Sequence, residues 1–289
     1  MKISITARTN VGYGRDNNED AYVFCPSLDT SNWKQDSTNG YVDLHQHGAL
    51  IVVADGMGGL NAGEVAAATA VETIREVFAK KAAELTATPD DKTSLHIMGQ
   101  AIEQADEAIK KRIYEDPDTA GMGTTIVVTW VQTEKTHVAW CGDSRCYLYN
   151  DDHGLLPLTK DHSYVQELVD SGQITPEEAF NHPDNNVITR GLGDFDTPLQ
   201  PDFASVDTAS GNTLLLCSDG LCGYCTDEQI AQTLQDSRNN TAACADGLVQ
   251  LALDADGQDN ICVAVATVLS NDDAPRESWL KRLMKKLFN

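Results

Sequence analysis

The chain has 289 residues, of which 41% are hydrophobic, so it can form a packed core and is not expected to be intrinsically disordered. It carries 44 acidic and 21 basic residues, a net charge of −23, which argues against nucleic acid as a partner because phosphate backbones are bound by basic surfaces. Such a chain repels an anionic substrate unless cations stand at the binding site, and metal ions held by carboxylates would provide them.

The beginning of the chain predicts a strand over residues 3–9 and lacks the apolar core of a secretory signal. No apolar run approaches the ~20 residues that a membrane-spanning helix needs. Eight scattered cysteines indicate reduced thiols, which favours a cytoplasmic protein over a disulfide-stabilised secreted one. Cys222 and Cys225 form the one close pair, which we interpret as packing residues, with a zinc or redox site as the alternative.

The first half of the chain predicts strands followed by helices. Further strands are predicted over residues 21–24 and 49–54, the second of which is a continuous apolar run. Apolar residues recur every three to four positions over residues 63–85 and again over 95–113, which predicts two amphipathic helices. Two consecutive helices with one apolar face each indicate a helical layer that lies on a sheet.

The second half returns to strands. Residues 124–131, 136–141 and 145–149 predict an antiparallel meander, and residues 155–158 are a candidate edge strand. The polar stretch 160–198, with a capping box that starts at Thr175, predicts an inserted flap of short helices. A strand over 212–217, helices over 226–235 and 241–253, and a strand over 260–269 follow. The order of elements predicts one α+β domain, an antiparallel sheet core with helices outside.

Acidic residues border the apolar strands at five places. Asp55 directly follows the buried run and precedes a glycine-rich stretch, 56–59, in which the backbone can turn sharply. The other four places hold Asp143, Asp219, Asp259 and a cluster of Arg15, Glu19 and Asp20. Any one of them alone has an ordinary interpretation as a turn residue. Together they favour a Mg²⁺ or Mn²⁺ site, because gathered carboxylates repel one another unless they share cations.

Six short elements, taken in order, resemble the PP2C (PPM) family of metal-dependent protein phosphatases, in its bacterial form. They are the stretches 14–21 (GRDNNEDA), 55–59 (DGMGG), 121–125 (GMGTT), 142–145 (GDSR), 218–221 (SDGL) and 259–260 (DN). Each element is short, but the ordered set is highly specific and spans about residues 3–269. The resemblance implies a four-layer α-β-β-α sandwich, in which two antiparallel sheets are flanked by helix pairs, for a domain over residues 1–269.

The same resemblance implies a set of metal ligands. Two Mn²⁺ or Mg²⁺ ions would be bridged by Asp55. One ion would be completed by Asp219 and Asp259, and the other by the Gly56 carbonyl and, through water, by Glu19. Asp20 would orient these ligands, and Asp143 with Asp219 would form a third, weaker site.

The resemblance also implies a phosphate-binding residue. Arg15 would hold the phosphate oxygens in a bidentate grip, for which a surface ion pair within the acidic cluster is the alternative. Many eukaryotic members place a histidine after Asp-Gly to protonate the leaving oxygen, whereas this chain has Met57. A metal-bound water and His162 are therefore the candidates for the general acid. The alternative for His162 is a residue at a helix N-terminus in the flap.

The activity implied is hydrolysis of phosphoserine and phosphothreonine in proteins by a hydroxide that bridges two divalent metals. No paired cysteine or serine nucleophile is apparent, so no covalent phosphoenzyme is expected. The partners would be phosphoproteins, including a serine/threonine kinase or its substrates. One alternative is a catalytically silent PP2C-like module that binds phosphoproteins or regulates a partner, which loss of metal ligands would indicate. Another is a phosphatase for small phosphate esters, which a deep closed pocket would favour.

Residues 270–289 predict a linker and a basic amphipathic tail. The apolar face would hold Trp279, Leu280, Leu283, Met284, Leu287 and Phe288. From residue 276 onward the tail has five basic residues and one acidic residue. Such a helix is typical of peripheral membrane binding or of docking to a partner protein. The alternative is a tail that folds back onto its own acidic domain.

Overall fold

The computed structural model describes residues 1–38, 40–58, 62–238 and 240–271. Within these residues, two antiparallel sheets pack face to face, and helices cover the outer face of each sheet. The predicted α+β class and the four-layer arrangement are therefore confirmed.

The strands and helices are numbered in chain order. The strands are β1 (Lys2–Asn10), β2 (Asp20–Cys25), β3 (Val42–Asp43), β4 (Ala49–Met57), β5 (Gly123–Thr124), β6 (Ile126–Val131), β7 (Lys135–Cys141), β8 (Arg145–Asn150), β9 (Gly154–Pro157), β10 (Leu192–Gly193), β11 (Asp202–Asp207), β12 (Thr213–Cys217) and β13 (Ile261–Leu269). The helices are α1 (Ala62–Glu84), α2 (Asp91–Glu115), α3 (Tyr164–Asp170), α4 (Pro176–Phe180), α5 (Asp219–Cys222), α6 (Asp227–Asp236) and α7 (Thr241–Asp254).

The strand order of the two sheets brings distant parts of the chain together. The first sheet has the order β3-β1-β13-β12-β8-β9, and the second has the order β10-β5-β4-β6-β7-β11 with β2 also paired to β4. Asp20 on β2 lies directly opposite Asp55 on β4. Asn10 at the end of β1 lies opposite Ile261 at the start of β13. These registers place the acidic cluster before β2 and the loop before β13 near the end of β4.

Three apolar layers hold the sandwich together. Alternate residues of β4 face opposite ways: Leu50 and Val52 pack with α1 and α2, while Ile51 and Val53 pack between the sheets. The third layer lies between the first sheet and α5, α6 and α7. Because both faces of β4 are buried, its sequence is a continuous apolar run without polar alternation, which is the reason that it was predictable.

The structure corrects several predicted boundaries. Strand β4 continues through Asp55 to Met57 and does not end at Ala54. The sequence did not predict the two-residue strands β3 and β10 or the edge strand β11. Strand β10 pairs with β5, and its Leu192 is fully buried. The predicted flap over 160–198 therefore contains α3 and α4, but its last part belongs to the second sheet.

Three further expectations from the sequence concern cysteines, membranes and the tail. All eight cysteines are buried as free thiols, as predicted. Among the described residues, no helix is both long and apolar enough to cross a membrane. The predicted amphipathic tail lies outside the described residues, which end at residue 271.

Candidate active site and metal centre

The predicted aspartates meet at one end of the sandwich. Asp55 lies near the end of β4, Asp219 is the first residue of α5 just after β12, and Asp143 follows β7. The charges of Asp20, Asp219 and Asp143 act on Asp55 and raise its pKa, and the charge of Asp259 acts on Asp219 in the same way. The sheet topology therefore brings together all five aspartates that the sequence singled out.

Burial dominates the electrostatics of these carboxylates. It raises the pKa of Asp20, Asp55 and Asp143 well above the usual range, and the neighbouring carboxylates raise it further. Burial and the charge of Asp259 raise the pKa of Asp219 to about 6. Ionised carboxylates in such surroundings are costly unless a cation balances them. The cluster is therefore strained as an assembly of negative charges alone.

Two buried carboxylate oxygens in this cluster have no hydrogen-bond partner among the described residues. They are Oδ1 of Asp20 and Oδ1 of Asp143, both of them fully buried. Buried polar atoms are nearly always satisfied, and an unpaired one needs an explanation. A divalent cation bound to such an oxygen would satisfy it.

Arg15 stands at the edge of the acidic cluster. Its Nη2 donates to Oδ2 of Asp259 over 2.8 Å, and the arginine side chain remains 51% exposed. The hydrogen bond to Asp259 raises the pKa of Arg15, and the charges of Asp219 and Glu19 act in the same direction. Arg15 thus holds a positive charge in a fixed position, and an anionic group can reach it from the solvent.

Asn260 organises the loop that contains Arg15 and Glu19. Its Oδ1 accepts from the Glu19 amide over 2.7 Å, and its Nδ2 donates to the carbonyls of Val11 and Asn17 over 2.9 and 2.8 Å. The sequence placed Asn260 beside a candidate ligand but gave it no role. The signal available in the sequence was an asparagine between Asp259 and the apolar run of a predicted strand.

Ser218 and Thr125 hold two of the aspartates in place. The Ser218 hydroxyl donates to Oδ2 of Asp20 over 2.8 Å and accepts from the Cys262 amide over 2.9 Å. The Thr125 hydroxyl accepts from the Asp55 amide over 3.0 Å, and the Thr125 amide donates to the Asp55 carbonyl over 2.8 Å. Sequence reasoning assigned no function to either hydroxyl residue.

Gly56 lies within β4 and not in a turn, which corrects the sequence-based expectation for this residue. Its amide donates to the Glu19 carbonyl over 3.1 Å. A Cβ atom at this position would overlap the carbonyl oxygen of Gly63 in the first turn of α1. Glycine is therefore required by the close approach of three backbone segments, and the left-handed backbone occurs two residues later, at Gly58 (φ +153°).

The candidate general acid, His162, lies next to the cluster with both ring nitrogens engaged. Its Nδ1 accepts from the Gly142 amide over 3.1 Å, and its Nε2 lies 3.1 Å from Oδ2 of Asp202. Burial lowers the pKa of His162, which favours the neutral ring. Nη1 of Arg190 lies 3.8 Å from the same Asp202 oxygen. This geometry favours the structural interpretation of His162.

The donor set fits hard divalent cations by its chemistry. Within the described ranges, no three acidic, histidine or cysteine side chains form a ready-made group of ligands. Some of the carboxylate oxygens are instead bound by Arg15, Asn260 and Ser218. The remaining donors are oxygens on separate elements, buried and partly unpaired, which suits ions that retain water ligands, such as Mg²⁺ and Mn²⁺.

A family model, curated relatives and solved structures all relate the chain to the same family. The model of the family described as Protein phosphatase 2C matches residues 9–261. The chain is similar to the serine/threonine protein phosphatase PstP of Mycobacterium tuberculosis, 35% identical over 226 residues, which cover 77% of this chain and 41% of that protein. It therefore spans less than half the length of that relative.

Two further similarities cover nearly the whole chain. Protein phosphatase PhpP of Streptococcus pneumoniae is 35% identical over 284 residues, which cover 94% of this chain and 99% of that protein. The crystal structure of the PstP catalytic domain in complex with two manganese ions has a TM-score of 0.74 and 31% identity, and covers 93% of this chain and 100% of that chain. The family match over residues 9–261 includes all five aspartates of the cluster.

Proposed function

The chain belongs to the protein phosphatase 2C family, and we propose on this basis that it is a metal-dependent phosphatase of phosphoserine and phosphothreonine in proteins. The observation that supports this function most strongly is the cluster of buried and half-buried aspartates beside an exposed arginine, in which two aspartates each have an unpaired buried oxygen. Asp55, Asp219 and Asp259 are all present, so the sequence lacks the ligand losses that a catalytically silent module would have.

The proposed ligands are the residues that the family resemblance implies. Asp55 would hold both ions, one of them together with Asp219 and Asp259, and the other together with the Gly56 carbonyl and, through water, Glu19. When bound, Mn²⁺ or Mg²⁺ supplies positive charge to the phosphate and lowers the pKa of the attacking water. Burial raises the pKa of Asp55 and Asp219, which supports this assignment, because a bound cation would stabilise the ionised form of both carboxylates.

Asp20 and Asp143 are assigned different functions, one in orienting the ligands and one in binding a third cation. Ser218 holds one oxygen of Asp20, which supports an orienting function for this carboxylate. Asp143 interacts with Asp219 and has an unpaired Oδ1, which supports a third cation site shared by these two residues.

The protein's own contribution to phosphate binding is assigned to Arg15. Its guanidinium can donate two parallel hydrogen bonds to phosphate oxygens, and its ion pair with Asp259 fixes its position. The leaving oxygen takes its proton from a water molecule and not from His162, because Nδ1 of that ring accepts from Gly142 and Nε2 faces Asp202.

The function is tested by hydrolysis of p-nitrophenyl phosphate with and without Mn²⁺, in the native protein and in Asp219→Ala. We expect turnover that requires the metal and is lost in the variant. Asp254→Ala, at an exposed position of α7, is the matched control and should retain activity. Absence of turnover in folded protein with Mn²⁺ present would favour the silent phosphoprotein-binding module.

The substrate class is tested separately. A phosphothreonine peptide and small phosphate esters are compared by kcat/KM in the same protein. A preference for the peptide supports the protein phosphatase, whereas a preference for small esters would support the other alternative. A serine/threonine kinase or its substrates are the proposed phosphoproteins.

The proposed localisation of the enzyme is the cytoplasm. Its C-terminal tail would bind a membrane surface or a partner protein. The eight buried free thiols support a reducing compartment. The proposal for the tail rests on its sequence of five basic and one acidic residues. Deletion of residues 272–289 should abolish cosedimentation with anionic vesicles or recovery of a partner, and unchanged behaviour in both assays would contradict it.

A further inference from the structure

The peptide groups of Gly142, the residue before Asp143, are held by a single residue of the flap. The Gly142 amide donates to Nδ1 of His162 over 3.1 Å. The His162 amide donates in turn to the Gly142 carbonyl over 3.0 Å. Both backbone polar groups of this glycine therefore depend on His162, one through its side chain and one through its main chain.

The imidazole ring is itself held in one orientation. Because Nδ1 accepts a hydrogen bond, the proton lies on Nε2, which donates to Oδ2 of Asp202 over 3.1 Å. The ring stacks on Trp140 with an interplanar angle of 18° and a centroid distance of 6.1 Å, and the side chain is only 5% exposed. Asp202 and Trp140 thus fix the position from which Nδ1 meets Gly142.

The opposite side of Gly142 is closed by Thr125. Gly142 has a φ of +118°, and a Cβ atom there would lie 2.6 Å from Cβ of Thr125. Thr125 also binds the Asp55 backbone through its hydroxyl and amide, and its hydroxyl lies 2.7 Å from that of Ser144. The turn that carries Asp143 therefore lies between His162 on one side and Thr125 on the other.

The Asp143 carboxylate depends on this turn for its position. It is buried, and its Oδ1 has no hydrogen-bond partner. Because no hydrogen bond fixes that oxygen, the backbone conformation of the turn sets the direction in which it points. A shift of the Gly142 peptide would move the carboxylate relative to Asp219, its main electrostatic neighbour.

We propose that His162 is a positioning residue, oriented by Asp202, that fixes the Gly142 peptide and so directs the Asp143 carboxylate toward Asp219. This inference rests on the proposed function only where it assigns a cation to Asp143. It replaces the general-acid assignment of His162 with a different function, which a matched pair of substitutions separates.

His162→Asn and His162→Gln are the matched pair. The Oδ1 of asparagine falls near the place of Nδ1 and can accept from Gly142, but asparagine lacks the donor that Nε2 offers to Asp202. The amide of glutamine reaches toward Asp202 instead and leaves the Gly142 amide without an acceptor. Asp202→Ala removes the orienting contact and keeps the ring. A general acid would be lost in both the asparagine and the glutamine variant.

The first readout is hydrogen exchange of the Gly142 amide in metal-free protein, which does not depend on activity. We expect exchange about tenfold faster in His162→Gln, the effect of losing one buried hydrogen bond, and a change below about twofold in His162→Asn. The exchange rate of the Gly142 amide in Asp202→Ala should lie between the rates in these two variants. Thermal unfolding of each variant identifies any that fails to fold, and the comparison is made among the folded ones.

The second readout is titration with Mn²⁺ alone, in which the electron paramagnetic resonance signal of the free ion measures how much Mn²⁺ remains unbound. His162→Gln should weaken the weakest Mn²⁺ site about tenfold, and Asp143→Asn should remove it. Equal effects of the asparagine and glutamine variants, or an unchanged Gly142 amide in His162→Gln, would overturn the inference. If the native protein lacks phosphatase activity, the proposed function fails, and the exchange measurement still decides the function of His162.

Discussion

Arg15 places a permanent positive charge beside Asp259 at the edge of an otherwise acidic cluster. If it binds phosphate, Arg15→Ala should raise the KM for a phosphothreonine peptide about ten- to a hundredfold, since hydrogen bonds between charged groups contribute about 1.5–3 kcal/mol. The KM of Arg15→Lys should lie between those of the native protein and Arg15→Ala, because lysine keeps the charge but lacks the planar guanidinium group. Steady-state kinetics in saturating Mn²⁺ measure both variants.

Arg8 provides the control for this prediction. It forms a similar ion pair, with Asp246 over 2.7 Å, on the side of β1 that faces α7. Arg8→Ala should leave KM unchanged. Equal KM values for Arg15→Ala and the native protein would show that Arg15 forms only a surface ion pair.

The sequence predicted the charged residues of the site better than the neutral ones. Asp55 and Asp219 were recognisable because a carboxylate follows an apolar strand and precedes a glycine. Asn260 and Ser218 were not, because their functions depend on partners about 240 and 200 positions away in the chain. Local sequence cannot show which distant backbone groups an amide or hydroxyl will meet. Those contacts exist only after the two sheets have packed.

At the level of elements, the position of Gly56 in β4 sets the spacing between that strand and α1. A Cβ atom would overlap the Gly63 carbonyl, so Gly56→Ala must separate the two elements. We expect a loss of about 1–3 kcal/mol in the free energy of unfolding, the usual effect of overpacking. Urea unfolding followed by circular dichroism measures it.

A second glycine gives the matched comparison. Gly99 lies in α2, where a Cβ atom would meet only the ring of Phe203, 3.3 Å away. Gly99→Ala should be neutral or stabilising by up to about 1 kcal/mol, because alanine favours the helix. Equal effects of the two substitutions would contradict the close-approach explanation for Gly56.

The contact between β7 and β11 predicts a pH dependence of stability. His137 on β7 is buried, its Nδ1 lies 2.8 Å from the Ser205 hydroxyl, and burial lowers its pKa from the usual 6.5. Asp91 opposes this shift, with its Oδ1 3.8 Å from Nε2. Below about pH 6.5 the unfolded chain binds more protons at this residue than the folded protein does. This histidine therefore makes the folded state less stable as the pH falls.

His137→Asn removes the titrating group and keeps an acceptor near Nδ1. The difference in unfolding free energy between pH 7.5 and pH 5.5 should be smaller in this variant than in the native protein. His153→Asn, at an exposed position, serves as the control and should keep the native pH dependence. A native-like pH dependence in His137→Asn would contradict the assignment.

The elements themselves were predictable where burial left a recognisable apolar pattern in the sequence, either a periodic one or a continuous run. Strands β4 and β13 are continuous apolar runs because both faces of each strand are covered. Strands β3, β5 and β10 have two residues each, too few for any period, and exist only through their partners. Strand β11 alternates between half-buried and exposed residues and begins and ends with aspartate, which weakens its apolar signal.

For the whole molecule, a charge of −23 and a largely buried carboxylate cluster predict that folding stability depends on cations. Burial raises the pKa of Asp219 to about 6, so near pH 7.5 its ionised form destabilises the metal-free protein. Ions that bind the folded state alone shift unfolding to higher temperature. We therefore expect a higher Tm in Mn²⁺ than in EDTA, measured by calorimetry at pH 7.5.

Asp219→Asn separates repulsion between the carboxylates from general effects of salt. The variant loses one buried negative charge, so in EDTA it should be more stable than the native protein, by on the order of 1–3 kcal/mol. It also loses a proposed ligand, so the increase in Tm with Mn²⁺ should largely disappear. Asp254→Asn removes an exposed charge from α7 and should keep the native response. An equal response to Mn²⁺ in all three proteins would mean that the ions act on the surface charge, and that the buried aspartates are not the site at which they stabilise the fold.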